Sequence, residues 1–239
     1  MLRTLLVALF LAVYVLAAGP VFIAHCLLTG SPELLYRVGL AGACWALRLA
    51  GVRTRVSGRE NVPRSPCVFV ANHISNLDPP AVACAIPQRV ALLAKKEVFR
   101  IPLLARAFLL AQMIPVDRAD RASALASVEL AIKNLRSGVS YLIFPEGTRS
   151  PDGRMKPFKK GSFVMAIRAG VPIVPVSVSG AHHLMRKGSI AIRPGEVGVH
   201  FGAPISMQGF SVEERDKLVR LVEQAVAQHL PDEQQPAPR

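Results

Sequence analysis

Two apolar blocks open the chain, and a different rhythm takes over after them. Residues 4–28 contain no Asp, Glu, Lys or Arg and are long enough to reach across a bilayer as a helix. The apolar run passes the small residues Leu16-Ala17-Ala18 and continues through Val21, Phe22 and Ile23 to Leu27 and Leu28. A retained anchor fits that continuity better than a cleaved signal peptide. Arg3 precedes the run, which suits a cytoplasmic N-terminus. A second apolar segment, residues 34–52, carries Arg37, Arg48 and Trp45, and reads as a helix lying in the membrane interface or packed on the first. Pro20 and the break Thr29-Gly30-Ser31-Pro32 make a two-helix hairpin of the pair. Hydropathy alone leaves open whether the first helix spans the bilayer or lies in one leaflet.

After Gly58 short runs rich in Val and Ile alternate with helix-like stretches. The pattern predicts strands at 67–71, 90–94, 112–116, 141–144, 173–177, 189–193 and 198–201. Helices are predicted at 103–110, 121–136, 158–169 and 212–229, the last opened by Ser211 and Glu214 at capping-box spacing. Such alternation predicts an α/β domain, a mixed and largely parallel sheet flanked by helices, preceded by the N-terminal two-helix membrane module. The expected divisions are residues 1–57 for the anchoring helices, 58–230 for the α/β domain and 231–239 for a polar, disordered tail.

Composition narrows the partners. Hydrophobic residues make up 51% of the 239, and the formal net charge is +13. That excess calls for an anionic partner, and the apolar fraction favours a membrane surface or a phosphorylated lipid over nucleic acid. Nucleic-acid binding finds no support, because Trp45, Tyr14, Tyr36 and Tyr141 are not interleaved with Lys or Arg. Cys26, Cys44, Cys67 and Cys84 stand singly among apolar neighbours and form no C-x-x-C pair. They are expected to be buried free thiols in a reducing compartment.

Several chemistries drop out by the absence of their signatures. No G-x-S-x-G elbow, no G-x-G pair and no Gly-Lys dipeptide occurs, which removes the hydrolase, dinucleotide and P-loop fingerprints. His182-His183 has no Cys or carboxylate at ligand spacing, so neither a metal nor a cofactor is expected. Three blocks remain. The predicted strand 67–71 delivers Asn72 and His73 to its carboxyl end, and Asp78-Pro79-Pro80 follows as a helix opening. Asp78 folded back onto one imidazole nitrogen leaves the other free to take a proton, at a pKa of ~6.5 suited to general-base work. Taken alone, the spacing reads first as a helix-capping Asp beside a satisfied histidine, ahead of a catalytic pair. Strand 141–144 runs into Pro145-Glu146-Gly147-Thr148-Arg149-Ser150, where Gly147 permits close backbone approach and Thr148 and Arg149 offer phosphate donors. Alone, this is an exposed turn with a solvated Arg. Between the two lies Met113-Ile114-Pro115-Val116-Asp117-Arg118, by itself a surface ion pair. Lys159 and Lys160 face either an anion or water.

The ordered set N-H-x-x-x-x-D, V-D-R, F-P-E-G-T-R-S and Val171-Pro172-Ile173-Val174-Pro175-Val176 resembles the 1-acylglycerol-3-phosphate acyltransferase family over residues 58–204. The resemblance implies that His73 is the general base and Asp78 orients it. It implies that Arg118, Glu146, Gly147, Thr148 and Arg149 bind the acceptor's phosphate, and that Pro172 helps to bind the acyl donor. The second block departs from the family, which often has Phe-Ile where Pro115-Val116 stands here. The implied reaction moves an acyl group from acyl-CoA or acyl carrier protein to the sn-2 hydroxyl of lysophosphatidate, on the cytoplasmic face of the inner membrane, among membrane lipids. Two alternatives stand beside it: the same chemistry on another lysolipid, such as a lyso-ornithine lipid, and a non-catalytic binder of anionic membrane lipids.

Overall fold

Apolar runs of three to seven residues become the strands of one seven-stranded sheet in the computed structural model, which describes residues 1–117 and 120–237 and only the backbone of Arg121. In chain order the elements are α1 (Leu2–Thr29), α2 (Glu33–Leu49), β1 (Val52–Ser57), β2 (Val68–Ala71), α3 (Asp78–Ala85), β3 (Val90–Lys95), α4 (Pro102–Leu110), β4 (Ile114–Val116), α5 (Arg121–Arg136), β5 (Ser140–Ile143), α6 (Phe163–Ala169), β6 (Ile173–Ser179), α7 (Ala181–Leu184), β7 (Gly195–Phe201) and α8 (Arg215–Ala227). The strand order is β1-β7-β6-β2-β5-β3-β4, and every neighbouring pair is parallel except β6 with β7. The mixed, largely parallel α/β sheet read from the sequence is the sheet the chain forms.

Helices cover both faces, which is why the central strands read as unbroken apolar runs. β2 is buried throughout and sorts its side chains by parity. Phe69 and Ala71 pack with Ala46 and Leu47 of α2 and Val82 of α3. Val68 and Val70 pack with Ile132 and Leu135 of α5, Phe163 of α6, and Leu218 and Val222 of α8. Fully burying one such side chain is worth roughly 1.5–3 kcal/mol.

α1 lies along the domain rather than projecting from it. Near its start Val7 joins the core layer of α2 and α3, and the Thr4 hydroxyl accepts the Ile192 N–H at 3.0 Å. Near its end Ile23 and Cys26 pack with Leu35 of α2 and with Leu103 and Leu110 of α4. At ~1.5 Å per residue, its 28 residues extend roughly 42 Å. Midway, Tyr14 donates to the Val38 carbonyl at 2.9 Å, and Gly42 of α2 makes room for its ring. A Cβ at Gly42 would meet Tyr14 Cε1 at 2.4 Å, so the helix crossing needs glycine there. The outward side of α1 stays apolar and exposed, from Leu2, Leu5 and Leu9 to Leu27 and Leu28.

Several expectations change. The segment expected as a disordered tail holds a 3₁₀ turn at Asp232–Gln234, where Gln234 is buried and its carbonyl accepts the Met155 N–H at 2.9 Å. The helix expected at 158–169 begins at Phe163. Residues 189–193 form no strand; their N–H groups turn to the Ser189 hydroxyl, Thr4 and the Leu184 carbonyl instead of a neighbouring strand. The sheet also begins earlier, because Val52–Ser57 pairs with β7 as an edge strand. Arg53 and Arg55 alternate outward there, so its apolar content is low and it looked like the end of the anchor. α8 starts at Arg215 rather than at 212, after a turn in which Ser211 N–H donates to Glu214 at 3.3 Å. Finally, Cys44 and Cys84 form a disulfide, because α2 packs on α3 and brings their Cα atoms to 5.9 Å. It ties the hairpin to the α/β domain. Cys26 and Cys67 are the buried free thiols the sequence led one to expect of all four.

Candidate active site

His73 leaves the carboxyl end of β2 and is gripped from three sides. Its Nδ1 lies 2.9 Å from Asp78 Oδ2, which also accepts the N–H groups of Ile74 and Ser75 at 2.7 Å each. Pro79 and Pro80 follow in the first turn of α3, so the helix start needs no N–H from them, and Asp78 turns back to the loop. Asp78 is fully buried, and its Oδ2 gathers the imidazole and two backbone N–H groups on one oxygen. The neighbouring Asn72 closes a two-way amide pair with Val178, donating at 2.9 Å and accepting at 2.7 Å, which extends the β2–β6 pairing by one rung.

The second block supports the first. Glu146 and Ser150 follow β5, the strand beside β2. The His73 N–H donates to Glu146 Oε1 at 2.8 Å, and the His73 carbonyl accepts the Ser150 N–H at 2.8 Å. Both backbone groups of the histidine are thereby fixed by the Pro145–Ser150 turn. Gly147 takes a φ of +76°, and a Cβ there would lie 2.9 Å from Lys159 Nζ, so the turn requires glycine. Ser150 Oγ donates to Asp152, and on the far side buried His182 sits against Gly153 and hydrogen-bonds the Ile74 carbonyl. Burial pushes the His182 imidazole below its usual range.

Glu146 is only 2% exposed. Burial pushes its carboxyl up to about 8, and the charge of Asp78 adds to the rise, while the N–H groups of His73 and Lys156 pull the other way. Its Oε2 has no hydrogen-bond partner. Two carboxyls thus flank one histidine, Asp78 against the ring and Glu146 behind the backbone, and burial disposes Glu146 to be neutral.

The free edge of the imidazole faces a cavity of about 860 Å³. Phe144 stacks on His73 with ring centroids 4.5 Å apart and forms part of the wall. The rest is mostly apolar, from Tyr14, Val15 and Phe22 of α1, Leu35 and Leu40 of α2, and Leu104 and Phe108 of α4. Gly147, Thr148, Arg149 and Lys95 complete the lining. Arg149 is half-buried, and its Nη1 is buried without a partner. Among the described residues no carboxylate pairs with it, so the cation lacks an anion there.

The structure therefore brings His73, Asp78, Glu146, Gly147, Thr148 and Arg149 together. Glu146 does not line the cavity; it braces His73 from behind. Pro172 stands apart, at the amino end of β6, where its carbonyl accepts the Val68 N–H. β2 separates it from His73 by about four residues, roughly 13 Å of strand. Arg118 lies outside the described residues. Of the two lysines, Lys160 pairs with Asp216 at 2.6 Å, and Lys159 lies beside Gly147. Lys95, Phe144, His182 and the bracing role of Glu146 were not apparent in the sequence. Lys95 ends a predicted strand in a Lys-Lys pair that looks like an ordinary solvated turn.

A buried His–Asp pair opening onto an apolar cavity, at the carboxyl ends of a largely parallel sheet, belongs to the acyltransferase class, and residues 53–179 match the Acyltransferase family. A 1-acyl-sn-glycerol-3-phosphate acyltransferase of Limnanthes douglasii is 34% identical over 187 residues, covering 78% of this chain and 66% of that relative. One from Borreliella burgdorferi is 33% identical, covering 77% and 74% respectively. The crystal structure of the 1-acyl-sn-glycerophosphate (LPA) acyltransferase PlsC from Thermotoga maritima matches with a TM-score of 0.79 and 32% identity, over 94% of this chain and 93% of that one. The chain spans about two-thirds of the length of its Limnanthes relatives. It belongs to the 1-acyl-sn-glycerol-3-phosphate acyltransferase family.

Proposed function

We propose that this protein transfers a fatty acyl group from a thioester, acyl-CoA or acyl carrier protein, to the sn-2 hydroxyl of 1-acyl-sn-glycerol-3-phosphate, giving phosphatidate. The observation that carries the reading is the placement of His73 in a cavity whose lining joins two unlike kinds of residue. Most of that lining is apolar, suited to acyl chains. In the same lining, Arg149 offers a guanidinium whose buried Nη1 has no partner among the described residues, suited to a phosphate.

His73 Nε2 takes the proton of the acceptor hydroxyl as that oxygen attacks the thioester carbonyl. Asp78 stabilises the imidazolium so formed. Collapse of the tetrahedral adduct breaks the C–S bond, and the imidazolium returns its proton to the departing thiolate. General-base help is typically worth ~10²–10⁴-fold, and holding both substrates on one surface adds several kcal/mol. Arg149, Thr148 and the Gly147 turn hold the phosphate, and Arg118 is a further candidate from the sequence. Glu146 acts as a positioning residue through the His73 backbone.

α1 is long and apolar enough to cross a membrane. Its packing at both ends against the same domain favours a helix lying in one leaflet, and Arg3 ahead of the apolar run favours the cytoplasmic face for the domain. A lipid acceptor then reaches the cavity from the bilayer while a soluble donor approaches from water. The test is incubation of the membrane-reconstituted protein with labelled acyl-CoA or acyl carrier protein and a panel of lysolipids, with His73→Ala as control. Lysophosphatidate should be the preferred acceptor. Equal use of a phosphate-free lysolipid would move the assignment to another acceptor, and no transfer at all would leave a lipid-binding protein.

A further inference from the structure

Exposed large apolar side chains gather beyond the N-terminal hairpin. Val98, Ile101 and Leu109 are 43%, 55% and 50% exposed, and they stand together on the 3₁₀ turn Lys96–Arg100 and on α4. Phe99 and Phe108 meet edge to face at 5.9 Å, folding the turn back on the helix and leaving Val98, Arg100 and Ile101 outward. Another side of α4 is committed: Leu103, Ala107 and Leu110 pack with Phe22, Ile23 and Cys26 of α1. The exposed side of this element therefore adjoins the exposed apolar surface of α1. Val98 and Leu104 also line the cavity, so the element forms part of its rim.

Cations surround the apolar residues. Residues 95–110 hold Lys95, Lys96, Arg100 and Arg106 against one acid, Glu97. Lys96 is held by Asp117 and Lys95 reaches Glu97. Arg100 and Arg106 are exposed and close no salt bridge among the described residues. Apolar side chains ringed by guanidinium groups match the boundary between acyl chains and anionic headgroups.

We propose that this turn and α4 form a second membrane seat, supplied by the catalytic domain itself. It sets Val98, Ile101 and Leu109 into the leaflet that holds α1 and places Arg100 and Arg106 on anionic headgroups. The inference rests on the reading that α1 lies in the membrane. A bilayer is favoured over a protein partner because the patch runs into the apolar surface of α1 and onto the rim through which a lipid enters. Two points of seating fix the tilt of the domain, so the cavity mouth meets the leaflet and the acceptor enters without crossing water.

The test uses the full chain with an environment-sensitive fluorophore at Leu109→Cys, the native thiols being buried or paired. Phosphatidylcholine vesicles should shift its emission to the blue, and added phosphatidylglycerol should enlarge the shift. In parallel, Ile101→Ser/Leu109→Ser and Arg100→Glu/Arg106→Glu should each lose roughly five- to tenfold in kcat/KM on vesicle-borne lysophosphatidate, as reduced insertion and charge attraction require. Their activity on a monodisperse short-chain lysophosphatidate should stay at wild type. Unchanged emission on adding vesicles overturns the proposal, and so does an equal loss on both forms of the acceptor. A wild type that acylates no lysolipid removes the activity assignment instead, and the emission shift still decides the seat.

Discussion

Replacing Glu146 by Gln removes the possibility of charge but keeps the side chain's volume and its carbonyl acceptor. Burial holds the Glu146 carboxyl at about 8, so at pH 7 the glutamine is close to a copy of what the enzyme contains. Its Oε1 can still accept the His73 N–H now held at 2.8 Å. Glu146→Gln should therefore keep kcat/KM within about threefold of wild type near neutrality. Glu146→Ala leaves that N–H buried without an acceptor, a cost of roughly 1–3 kcal/mol. Expressed in the transition state, through a misplaced imidazole, this is a loss of roughly 5- to 150-fold. The loss should be the same for acceptors with and without phosphate, because Glu146 does not line the cavity.

A pH series sharpens the test. Between an unfolded value of 4.5 and a folded value of about 8, the folded protein retains a proton that the unfolded chain releases. The stabilisation linked to that proton is complete below the lower value and lost as pH rises through the upper one. Wild-type melting temperature should fall from pH 6 to 9, and the Gln variant should lack that part of the slope. The wild-type kcat/KM profile should bend near pH 8, where a second negative charge appears beside Asp78, and the Gln profile should not. Melting by calorimetry and initial rates across pH check both. If Glu146→Gln is as inactive as Glu146→Ala, or if either loses only on phosphate-bearing acceptors, Glu146 is ionised and acts on the substrate, and the bracing role is wrong.

Other substitutions should separate along the same lines. His73→Ala and Asp78→Asn should each remove more than about nine-tenths of kcat/KM, over ~1.4 kcal/mol, with melting still cooperative; a more active variant would dismiss the general-base assignment. Arg149→Lys should raise the KM for lysophosphatidate roughly ten- to a hundred-fold and spare the acyl-donor KM, since ammonium lacks the guanidinium fork; equal losses on a phosphate-free acceptor would show that Arg149 does not read phosphate. Acyl donor without acceptor should leave the intact mass unchanged, because direct transfer forms no acyl-enzyme; a stoichiometric adduct would require a ping-pong route. High salt or alkaline carbonate should leave the protein in the membrane, since screening does not weaken hydrophobic insertion, and quantitative release would mean that α1 is not inserted.

What the sequence disclosed follows from where each signal is stored. The fold was legible because β2, β5 and β6 are buried on both faces and therefore written as continuous Val, Ile and Leu runs, whereas β1 was hidden because an edge strand needs only one apolar face. The His73–Asp78 contact was legible because a strand end, a five-residue interval and two prolines put the imidazole and the carboxylate in one local segment. The function of Glu146 was not, because its partner lies 73 residues away and a carboxylate beside Gly-Thr-Arg looks like part of an anion site. Only burial separates the two readings: an exposed Glu146 would repel a phosphate, while a buried one has its proton affinity raised and serves as a neutral acceptor for the histidine's backbone. The Cys44–Cys84 disulfide was invisible for a related reason, since no spacing of 40 residues predicts that two helices will meet. Pro172 shows the converse, a residue carried into the site by its block but held by the sheet at the far end of β6. Local intervals reported the chemistry of single loops, and the assembly of two loops around one imidazole was set by β2 lying beside β5, a pairing that neither strand's own sequence records.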